Sequence, residues 1–353
     1  MLDSFCQFRT AKPLVSVIMP VWNGEEFVLE AVKSVLNQSY SNIELIIVND
    51  CSTDGTGAIV SSVRDSRVRI LTNTQNRGIA ISLLRGIENA QGDYIARIDS
   101  DDVCLLSRIG RQVRFLERNP DVDVLGGSAL LFGRPPVRLK FASRRDGDIK
   151  AELLFRCALI HPSLMFRRSS IDEWYDPQIA TAEDYDLWVR LMAGGAKFAN
   201  LRTPVIRYRL HSKRTSEVRA REQIVESSVA QVKAATFLLG HLTDSESFAL
   251  RVLSGHHPVC PALLADATNL ALQMLRENDR RLLIEPKALR RRVVYELLLM
   301  LSRNLQGIPS LDAVVRLHML RLVLANPGSV IGAIWYSLLR APGHFARVSG
   351  SES

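Results

Sequence analysis

The chain has 353 residues, which is long enough for one enzyme domain with an additional region or for two domains. Hydrophobic residues make up 47% of it and charged residues 23%, so its composition excludes a largely disordered protein. The formal net charge of +8 favours an anionic partner, and nucleic acid, a membrane surface and a phosphorylated substrate all satisfy that requirement.

The first part of the chain alternates short apolar runs with amphipathic stretches. Buried strands are predicted at residues 14–19, 43–48, 68–71 and 93–98. Helices are predicted between them, at residues 25–37, from about 54, and at 79–90. A strict alternation of strand and helix is typical of an α/β fold with a mostly parallel, doubly wound sheet.

The alternation continues to about residue 217 and then stops. A further helix and two strands are predicted at residues 105–117, 122–132 and 201–210. The basic stretch 134–148 contains Pro135-Pro136, which predicts a surface loop. Long helical runs without a strand pattern follow at residues 221–239 and 289–305. We therefore expect an N-terminal tail at 1–12, a catalytic domain at 13–217 and a basic helical region at 218–353.

The cysteines and the N-terminus indicate where the protein works. The five cysteines are scattered and never spaced as a CxxC pair, which argues against a disulfide framework and a zinc site. No cationic start followed by an apolar core precedes residue 12, so a secretory signal peptide is not indicated. We therefore expect a cytoplasmic protein.

The basic C-terminal region raises the question of a membrane. Residues 322–339 are uncharged, but Asn326-Pro327 divides them into two short pieces, and a span needs about 20 continuous apolar residues. Trp335, Tyr336 and Arg340 suit a headgroup interface. The region is expected either to contact an anionic membrane at the inner face of the cell or to form a capping subdomain or homodimer surface.

Polar residues follow three of the predicted strands, at the edge where open parallel sheets bind their ligands. The most acidic run is Asp99-Ser100-Asp101-Asp102. Asp99 and Asp101 can face one site, and Asp102 can reach it through a turn. Mg²⁺ and Mn²⁺ prefer oxygen ligands, so the run predicts a metal site. A solvated turn, or a helix N-cap at Asp102, is the alternative.

Two further motifs carry candidate chemistry. Glu183-Asp184 precedes an amphipathic helix and predicts a general base, whereas the alternative is a pair of acids favoured by the helix dipole. His161 and Ser163, in His161-Pro-Ser163, can line the acceptor side, with an ordinary loop histidine as the alternative.

Several other site classes lack their signatures. The chain contains no GxxxxGK[ST] phosphate loop, no GxGxxG after the first strand and no GxSxG. Aromatic residues make up only 7%, and the one dense basic cluster, Arg290-Arg-Arg292, predicts an exposed helix face. We therefore expect no nucleic-acid partner.

Further motifs occur in order along the chain: Val17-Ile-Met-Pro-Val-Trp-Asn-Gly24, Ile47-Val-Asn-Asp-Cys-Ser-Thr-Asp-Gly55, Asn76-Arg-Gly78, Ala96-Arg-Ile-Asp-Ser-Asp-Asp102 and Tyr208-Arg-Leu-His211. Together with Glu183-Asp184 and His161-Pro-Ser163, and over residues 13–216, they resemble family 2 glycosyltransferases, inverting enzymes with the A-type nucleotide-sugar fold, and in particular bacterial members that build surface polysaccharides. The resemblance implies that Asp50 hydrogen-bonds the base and that Asp99 contacts the nucleotide sugar. It implies that Asp101 binds the metal that bridges the diphosphate and that Asp184 is the catalytic base beside Glu183. Further residues that it places at the donor are Pro20, Val21, Asn23, Asn76, Gly78 and Arg97. Further candidate metal ligands are Asp102 and His211.

Two positions depart from the family pattern, because Asn49 and Cys51 stand where the motif after the second strand usually has an acid and a glycine. The Gln-x-x-Arg-Trp motif of processive synthases is absent, which implies a non-processive enzyme. The resemblance implies transfer from a nucleoside-diphosphate sugar, a UDP-sugar, to a glycan or lipid-diphosphate-linked acceptor, with Mn²⁺ or Mg²⁺ as cofactor.

Two other functions remain as alternatives, a sugar-nucleotide-binding regulator and a nucleotidyltransferase. A catalytically inactive sugar-nucleotide-binding regulator would not need Asp101 and Asp184, and both are retained. A nucleotidyltransferase would need a basic phosphate-binding loop after the first strand, whereas residues 22–26 are neutral to acidic.

Overall fold

The computed structural model describes residues 12–212, 218–257 and 261–302, which divide into two compact units. The first unit comprises the residues up to 142, together with 159–187 and 194–218. The second comprises 143–158, 188–193 and the residues from 219 onward. Residues 1–11 of the predicted tail and the apolar stretch 322–339, with Trp335, Tyr336 and Arg340, lie outside the described residues.

The first unit is built on one sheet of nine strands among the described residues. The strands are β1 (Val15–Val21), β2 (Ile43–Asn49), β3 (Val68–Thr72), β4 (Tyr94–Arg97), β5 (Val103–Cys104), β6 (Val124–Phe132), β7 (Arg138–Lys140), β8 (Met165–Arg167) and β9 (Phe198–Arg209). Their order is β3-β2-β1-β4-β8-β6-β9-β5, with β7 paired to β6.

The described part of the chain contains ten α-helices. They are α1 (Val28–Leu36), α2 (Thr56–Ser61), α3 (Ile79–Glu88), α4 (Arg108–Arg118), α5 (Asp146–Leu153), α6 (Glu183–Ala193), α7 (Ala220–Leu239), α8 (Asp244–Leu253), α9 (Pro261–Arg281) and α10 (Pro286–Ser302).

The predicted α/β class is confirmed, and the sheet is mixed. Strands β1 to β4 pair in parallel, because a helical stretch or a long crossover carries the chain back between them. Strand β8 then lies antiparallel between β4 and β6, and β7 returns antiparallel along β6 after a short connection. Strands β1 and β2 are buried along their whole length, as expected for strands covered on both faces.

The parallel register sets the position of the site. Val21 at the end of β1 is level with Asn49 at the end of β2, and Arg97 at the end of β4 is level with Ile18 of β1. The residues that follow these strands therefore meet at one edge of the sheet. The sequence predicts the same edge for ligand binding.

The stretch 134–148, predicted as a surface loop, is more ordered than expected. It contains strand β7 and the first residues of α5. Strand β7 is only three residues long, which is too short to show the alternation of apolar and polar residues that predicts a strand. Helix α5 buries Ile149 and Glu152 and contains Gly147. Because a charged residue lies on its buried face, the sequence does not show the apolar repeat that is typical of an amphipathic helix.

The second unit consists of α5 and helices α7 to α10, with residues of α6. Its interior holds a cluster of ion pairs centred on Glu296, whose side chain is fully buried. Glu296 lies 2.5 Å from Arg156 and also pairs with Arg292, which in turn lies 3.3 Å from the buried Glu152. Within the part of the chain that the structure describes, no helix is both long and apolar enough to cross a bilayer.

Candidate active site

Three carboxylates follow β4 and converge on one point. Asp99, Asp101 and Asp102 each offer an oxygen, and these oxygens lie within 4.8 Å of one another. The N–H of Asp102 donates to the carbonyl of Asp99 over 3.3 Å, closing a turn that returns Asp102 to its neighbours. The side chain of Asp102 is buried, and one of its oxygens accepts the N–H of Arg209 at 2.8 Å.

The second oxygen of Asp102 is buried and has no hydrogen-bond partner. Burial raises the pKa of Asp102, and the charges of Asp99 and Asp101 raise it further. Such a group is costly without a compensating cation. The donor set, three carboxylates with one orphaned oxygen, therefore fits a hard divalent ion.

The predicted fourth ligand, His211, lies at this cluster. Its Nε2 is 2.8 Å from Oδ2 of Asp101, and its ring packs on Phe27 with the ring centroids 5.0 Å apart. Its other nitrogen, Nδ1, is buried without a hydrogen-bond partner. The imidazole is therefore close enough to support Asp101 or to share a bound ion with it.

Arg97 joins the cluster to the rest of the site. Its guanidinium is buried and makes two contacts to the carboxylate of Asp99, one of them a 2.8 Å hydrogen bond. Burial lowers the pKa of His161, and the charge of Arg97 lowers it further; the same charge opposes the rise in the pKa of Glu183 that burial causes. Since it lies inside the fold, Arg97 fixes Asp99 rather than presenting its own charge to solvent.

The acidic pair opens helix α6, and its two members have different surroundings. The side chain of Glu183 is 8% exposed and that of Asp184 is 22% exposed. Burial, followed by the charge of Asp184, raises the pKa of Glu183 to about 8, with a smaller contribution from Asp99. Glu183 therefore favours its protonated form at neutral pH, and Asp184 is the more exposed member of the pair.

His161 lies against this pair. Its Nδ1 is 3.8 Å from Oε1 of Glu183 and 3.9 Å from Oδ2 of Asp184, and its Nε2 is 2.7 Å from the hydroxyl of Tyr175. Burial and the charge of Arg97 hold the pKa of His161 well below its usual value, so the ring is neutral. Burial raises the pKa of Tyr175, which keeps its proton available to donate to Nε2. The neutral tautomer with Nδ1–H facing the carboxylates then follows.

Asp50 organises the loop that leads into α3. Its carboxylate accepts three hydrogen bonds, from the side chain of Asn73 at 2.7 Å and from the N–H groups of Arg77 and Gly78 at 2.9 and 2.8 Å. Asn76, in the same loop, is exposed. The predicted residues Asp50, Asn76 and Gly78 are therefore brought together at one place.

The loop after β1 lies beside the loop after β2. The side-chain oxygen of Asn23 accepts the N–H of Thr53 at 2.8 Å, and the N–H of Asn23 donates to Ser52 at 3.0 Å. Asn23 and Cys51 both adopt positive φ, 49° and 56°. The φ of Cys51 accounts for the glycine usual in this motif, because glycine takes that conformation without steric cost.

The structure adds two residues to the predicted set. Trp22 is 56% exposed directly after β1, although aromatic residues of this size are usually buried. Arg209 donates to the carbonyl of Asp101 at 2.8 Å and pairs with Glu30. Both stood inside recognised motifs, but neither residue type pointed to this role.

Three predicted residues lie inside the fold. Pro20 and Val21 are buried in β1. Ser163 is fully buried, and its hydroxyl donates to the carbonyl of Ile160 at 2.6 Å and accepts the N–H of Gly127 at 3.2 Å. The serine therefore shapes the turn that holds His161.

Comparison with known proteins bears on this site. The model of Glycosyl transferase family 2 matches residues 16–172. An uncharacterized glycosyltransferase of Haemophilus influenzae is 32% identical over 226 residues, covering 60% of this chain and 70% of that protein. The Escherichia coli enzyme WfaP, a UDP-Glc:alpha-D-GlcNAc-diphosphoundecaprenol beta-1,3-glucosyltransferase, is 29% identical over 228 residues, covering 61% of this chain and 85% of that protein.

A solved structure shares the fold. S. aureus TarS 1–349 in complex with UDP-GlcNAc superposes with a TM-score of 0.56 at 17% identity, covering 83% of this chain and 92% of that chain. At this identity the likeness concerns the fold alone. The family match and the extent of the Haemophilus relative together show that the chain belongs to glycosyl transferase family 2.

Proposed function

We propose that the protein transfers a sugar from a UDP-sugar to a hydroxyl of a glycan or lipid-diphosphate-linked acceptor, with inversion at the anomeric carbon and one sugar at a time. The observation that carries this proposal is the presence of two separate carboxylate groups in the first unit, with Arg97 bound to Asp99 in one of them. Asp99, Asp101 and Asp102 form one group, and Glu183 and Asp184 form the other. Displacement with a departing diphosphate needs charge compensation at one end and a proton acceptor at the other.

Asp184 is the proposed base. Because burial favours the protonated form of Glu183, Asp184 is the carboxylate that we propose to take the proton of the acceptor hydroxyl. Its side chain is also the more exposed of the two. His161, held neutral and directed by Tyr175, positions the pair without adding a charge.

Asp101 and Asp102 would hold the metal, Mn²⁺ or Mg²⁺, with Asp99 and His211 as further candidates. When bound, the ion would supply positive charge opposite the departing nucleoside diphosphate. Arg209 keeps the Asp101-Asp102 turn in place through two hydrogen bonds. Its side chain donates to the carbonyl of Asp101, and its backbone N–H donates to the carboxylate of Asp102.

The donor's base is proposed to lie between the loops after β1 and β2. The exposed Trp22 offers an aromatic face for stacking. The two loops are connected by the hydrogen bond from Thr53 to Asn23 and by the N–H of Asp50, which donates to the carbonyl of Val21 at 2.9 Å. The printed name of WfaP gives UDP-Glc as donor and a diphosphoundecaprenol-linked sugar as acceptor, which supports the same classes here and a role in polysaccharide biosynthesis. A lipid-linked acceptor would place the reaction at the inner face of the cell membrane.

A panel of radiolabelled UDP- and GDP-sugars, incubated with the protein and Mn²⁺, tests the reaction class. We expect slow release of the nucleoside diphosphate and free sugar, lost on chelation. Asp102→Asn should lower the rate at least about 100-fold, because charge compensation is removed where charge develops. Asp172→Asn, at an exposed carboxylate of the same unit, should not.

The products also separate the other readings. Formation of a nucleoside triphosphate and a sugar 1-phosphate when pyrophosphate is added would identify a nucleotidyltransferase. Tight binding of a donor without any turnover, with or without a panel of lipid-diphosphate acceptors, would identify a regulator.

A further inference from the structure

Strands β6 and β7 form a hairpin whose composition the proposed reaction does not use. Residues 133–137 connect the strands, and Arg138 pairs with Leu131 and Lys140 with Ala129. We call residues 133–140 the basic hairpin. Arg134, Arg138 and Lys140 are its charges, and no acidic residue occurs between Asp123 and Asp146.

The basic hairpin also carries apolar side chains in exposed positions. Residues 133–139 are all exposed. Val137 is 68% exposed and Leu139 is 39% exposed, in a chain where most side chains of this kind are buried. Alternate residues of a strand point to opposite faces, so Arg138 and Lys140 share one face and Leu139 lies on the other.

The base of the hairpin is fixed close to the carboxylate cluster. The N–H of Leu210 donates to the carbonyl of Phe132 at 2.7 Å, and the next residue, His211, contacts Asp101. Gly133 has φ 92°, and a Cβ there would lie 2.7 Å from the carbonyl oxygen of Leu210. The glycine therefore allows the chain to leave the sheet at this point.

Cations and exposed aliphatic side chains on one short projection suit an interface with negative phosphates above a hydrocarbon layer. We propose that the basic hairpin binds the surface of a membrane that contains anionic phospholipids. A membrane held there lies at the end of the sheet that carries the carboxylates. An acceptor embedded in that membrane would then approach the site without leaving the lipid.

Edge protection is the competing explanation. Strand β7 pairs only with β6 among the described strands, and lysine or arginine on an edge strand prevents pairing with another copy. That explanation accounts for Arg138 and Lys140. It gives no reason for Val137 and Leu139 to stand exposed beside them, because exposed aliphatic residues promote association.

Flotation of the full-length protein with vesicles tests the proposal. The probe is phosphatidylcholine vesicles with and without phosphatidylglycerol. The wild type should float with the anionic vesicles only. Arg134→Glu/Arg138→Glu should weaken partitioning about 25-fold or more, at about fivefold for each cation removed. Val137→Ser/Leu139→Ser should weaken it as well, with the charge unchanged.

Two matched controls make the same kinds of substitution elsewhere in the chain. They test whether the loss of binding depends on the position of the hairpin or only on the change in charge or apolar surface. Arg114→Glu/Arg118→Glu makes the same charge change on the exposed face of α4. Ile224→Ser/Val225→Ser removes exposed apolar side chains from α7. Both should float like the wild type.

The proposal is overturned if the wild type does not bind anionic vesicles, or if either control loses binding as strongly as the hairpin variants. It is also overturned if the hairpin variants form oligomers and still bind vesicles, which is the result that edge protection predicts. Loss of binding to dextran sulfate with unchanged flotation would assign the hairpin to a soluble polyanion instead. None of these measurements uses a donor sugar, so the proposed function can fail while the membrane contact stands.

Discussion

Glu183 and Asp184 are neighbours in the chain, yet burial gives them different charges. Glu183 lies inside the first unit beside Asp184 and His161, whereas Asp184 reaches partly into solvent. Two carboxyls this close do not both ionise readily, so the more buried one keeps the proton. This difference in burial supports the proposal that Asp184 is the base.

The raised pKa of Glu183 gives the protein a testable dependence on pH. The folded pKa of about 8 exceeds the ordinary value of 4.5, so the folded state binds this proton more tightly. The stabilisation from Glu183 is therefore fully present below about pH 4.5 and is lost as the pH rises through 8. We expect the melting temperature of Glu183→Gln, relative to the wild type, to increase between pH 5 and pH 8.

Differential scanning fluorimetry across this range measures the effect. Glu88→Gln, at an exposed carboxylate on α3, is the control, and its difference from the wild type should stay flat. A flat difference for Glu183→Gln as well would show that Glu183 does not hold a proton in the folded state.

Cys51 carries strain that a glycine would release. Its φ of 56° is left-handed, a conformation that costs an ordinary residue about 1–2 kcal/mol. Glycine recovers that energy but loses more backbone entropy on folding, so Cys51→Gly should raise the free energy of unfolding by about 1 kcal/mol. Urea unfolding measures it.

Gly78→Ala is the converse variant, because Gly78 has φ 85° and a Cβ there meets nothing within 4 Å. Because its ψ is 170°, Gly78 lies in a region open essentially only to glycine, so the variant should be destabilised through backbone conformation alone, by about 1–3 kcal/mol. If Cys51→Gly has no effect while Gly78→Ala destabilises, the thiol of Cys51 contributes an interaction that offsets its backbone strain.

The acidic residues could be predicted from the sequence because their position marks them. Asp99, Asp101 and Asp102 follow a strand, and the chemistry of adjacent carboxylates requires compensation. Tyr175 could not be predicted, since nothing around it in the sequence distinguishes it from a core tyrosine. The burial of Ser163 was equally hidden, because a serine in a turn gives no sign of which way it points.

Among the elements of the second unit, buried ion pairs connect helix α5 and the residues just after it with helix α10. Glu296 has no exposure and lies between Arg156 and Arg292. Removing its charge takes the counter-charge from Arg156 and leaves Arg292 with Glu152, 3.3 Å away. Glu296→Gln should therefore lower the free energy of unfolding by about 3–5 kcal/mol.

Urea unfolding followed by far-ultraviolet circular dichroism checks this value. Glu277→Gln is the matched control, since Glu277 pairs at 3.6 Å with Arg280, whose side chain is 81% exposed. Surface pairs contribute less than about 1 kcal/mol, so that variant should unfold near the wild-type midpoint. Equal effects of the two variants would mean that the buried cluster contributes no more than a surface pair.

Elements with a clear period were predictable, and those without one were not. Strands β1, β2 and β4 appeared as apolar runs, and α3 as an amphipathic stretch. Strand β7 and helix α5 fell in the stretch predicted as a loop, because three residues show no alternation and a buried glutamate breaks the apolar face of a helix. The antiparallel insertion of β8 depends on long-range pairing that local patterns do not contain.

At the scale of the whole molecule, the net charge of +8 can now be divided among structural roles. Arg97 and Arg209 fix carboxylates of the site, and Arg156 and Arg292 are enclosed in the second unit. The basic hairpin is the group of cations for which we propose an external anionic partner. The charge alone could not separate these roles, since it records only how many cations there are.

We propose that Asp184 removes the acceptor proton while the separate carboxylate cluster serves the donor's diphosphate. The direct test compares wild type and Asp184→Asn for UDP affinity by calorimetry with Mn²⁺ and for turnover of the donor identified in the panel. We predict that UDP binds the variant within about threefold of the wild type, while turnover falls at least about 100-fold, the lower range for losing a general base. Turnover within a few-fold of the wild type, at unchanged UDP affinity, would contradict the account.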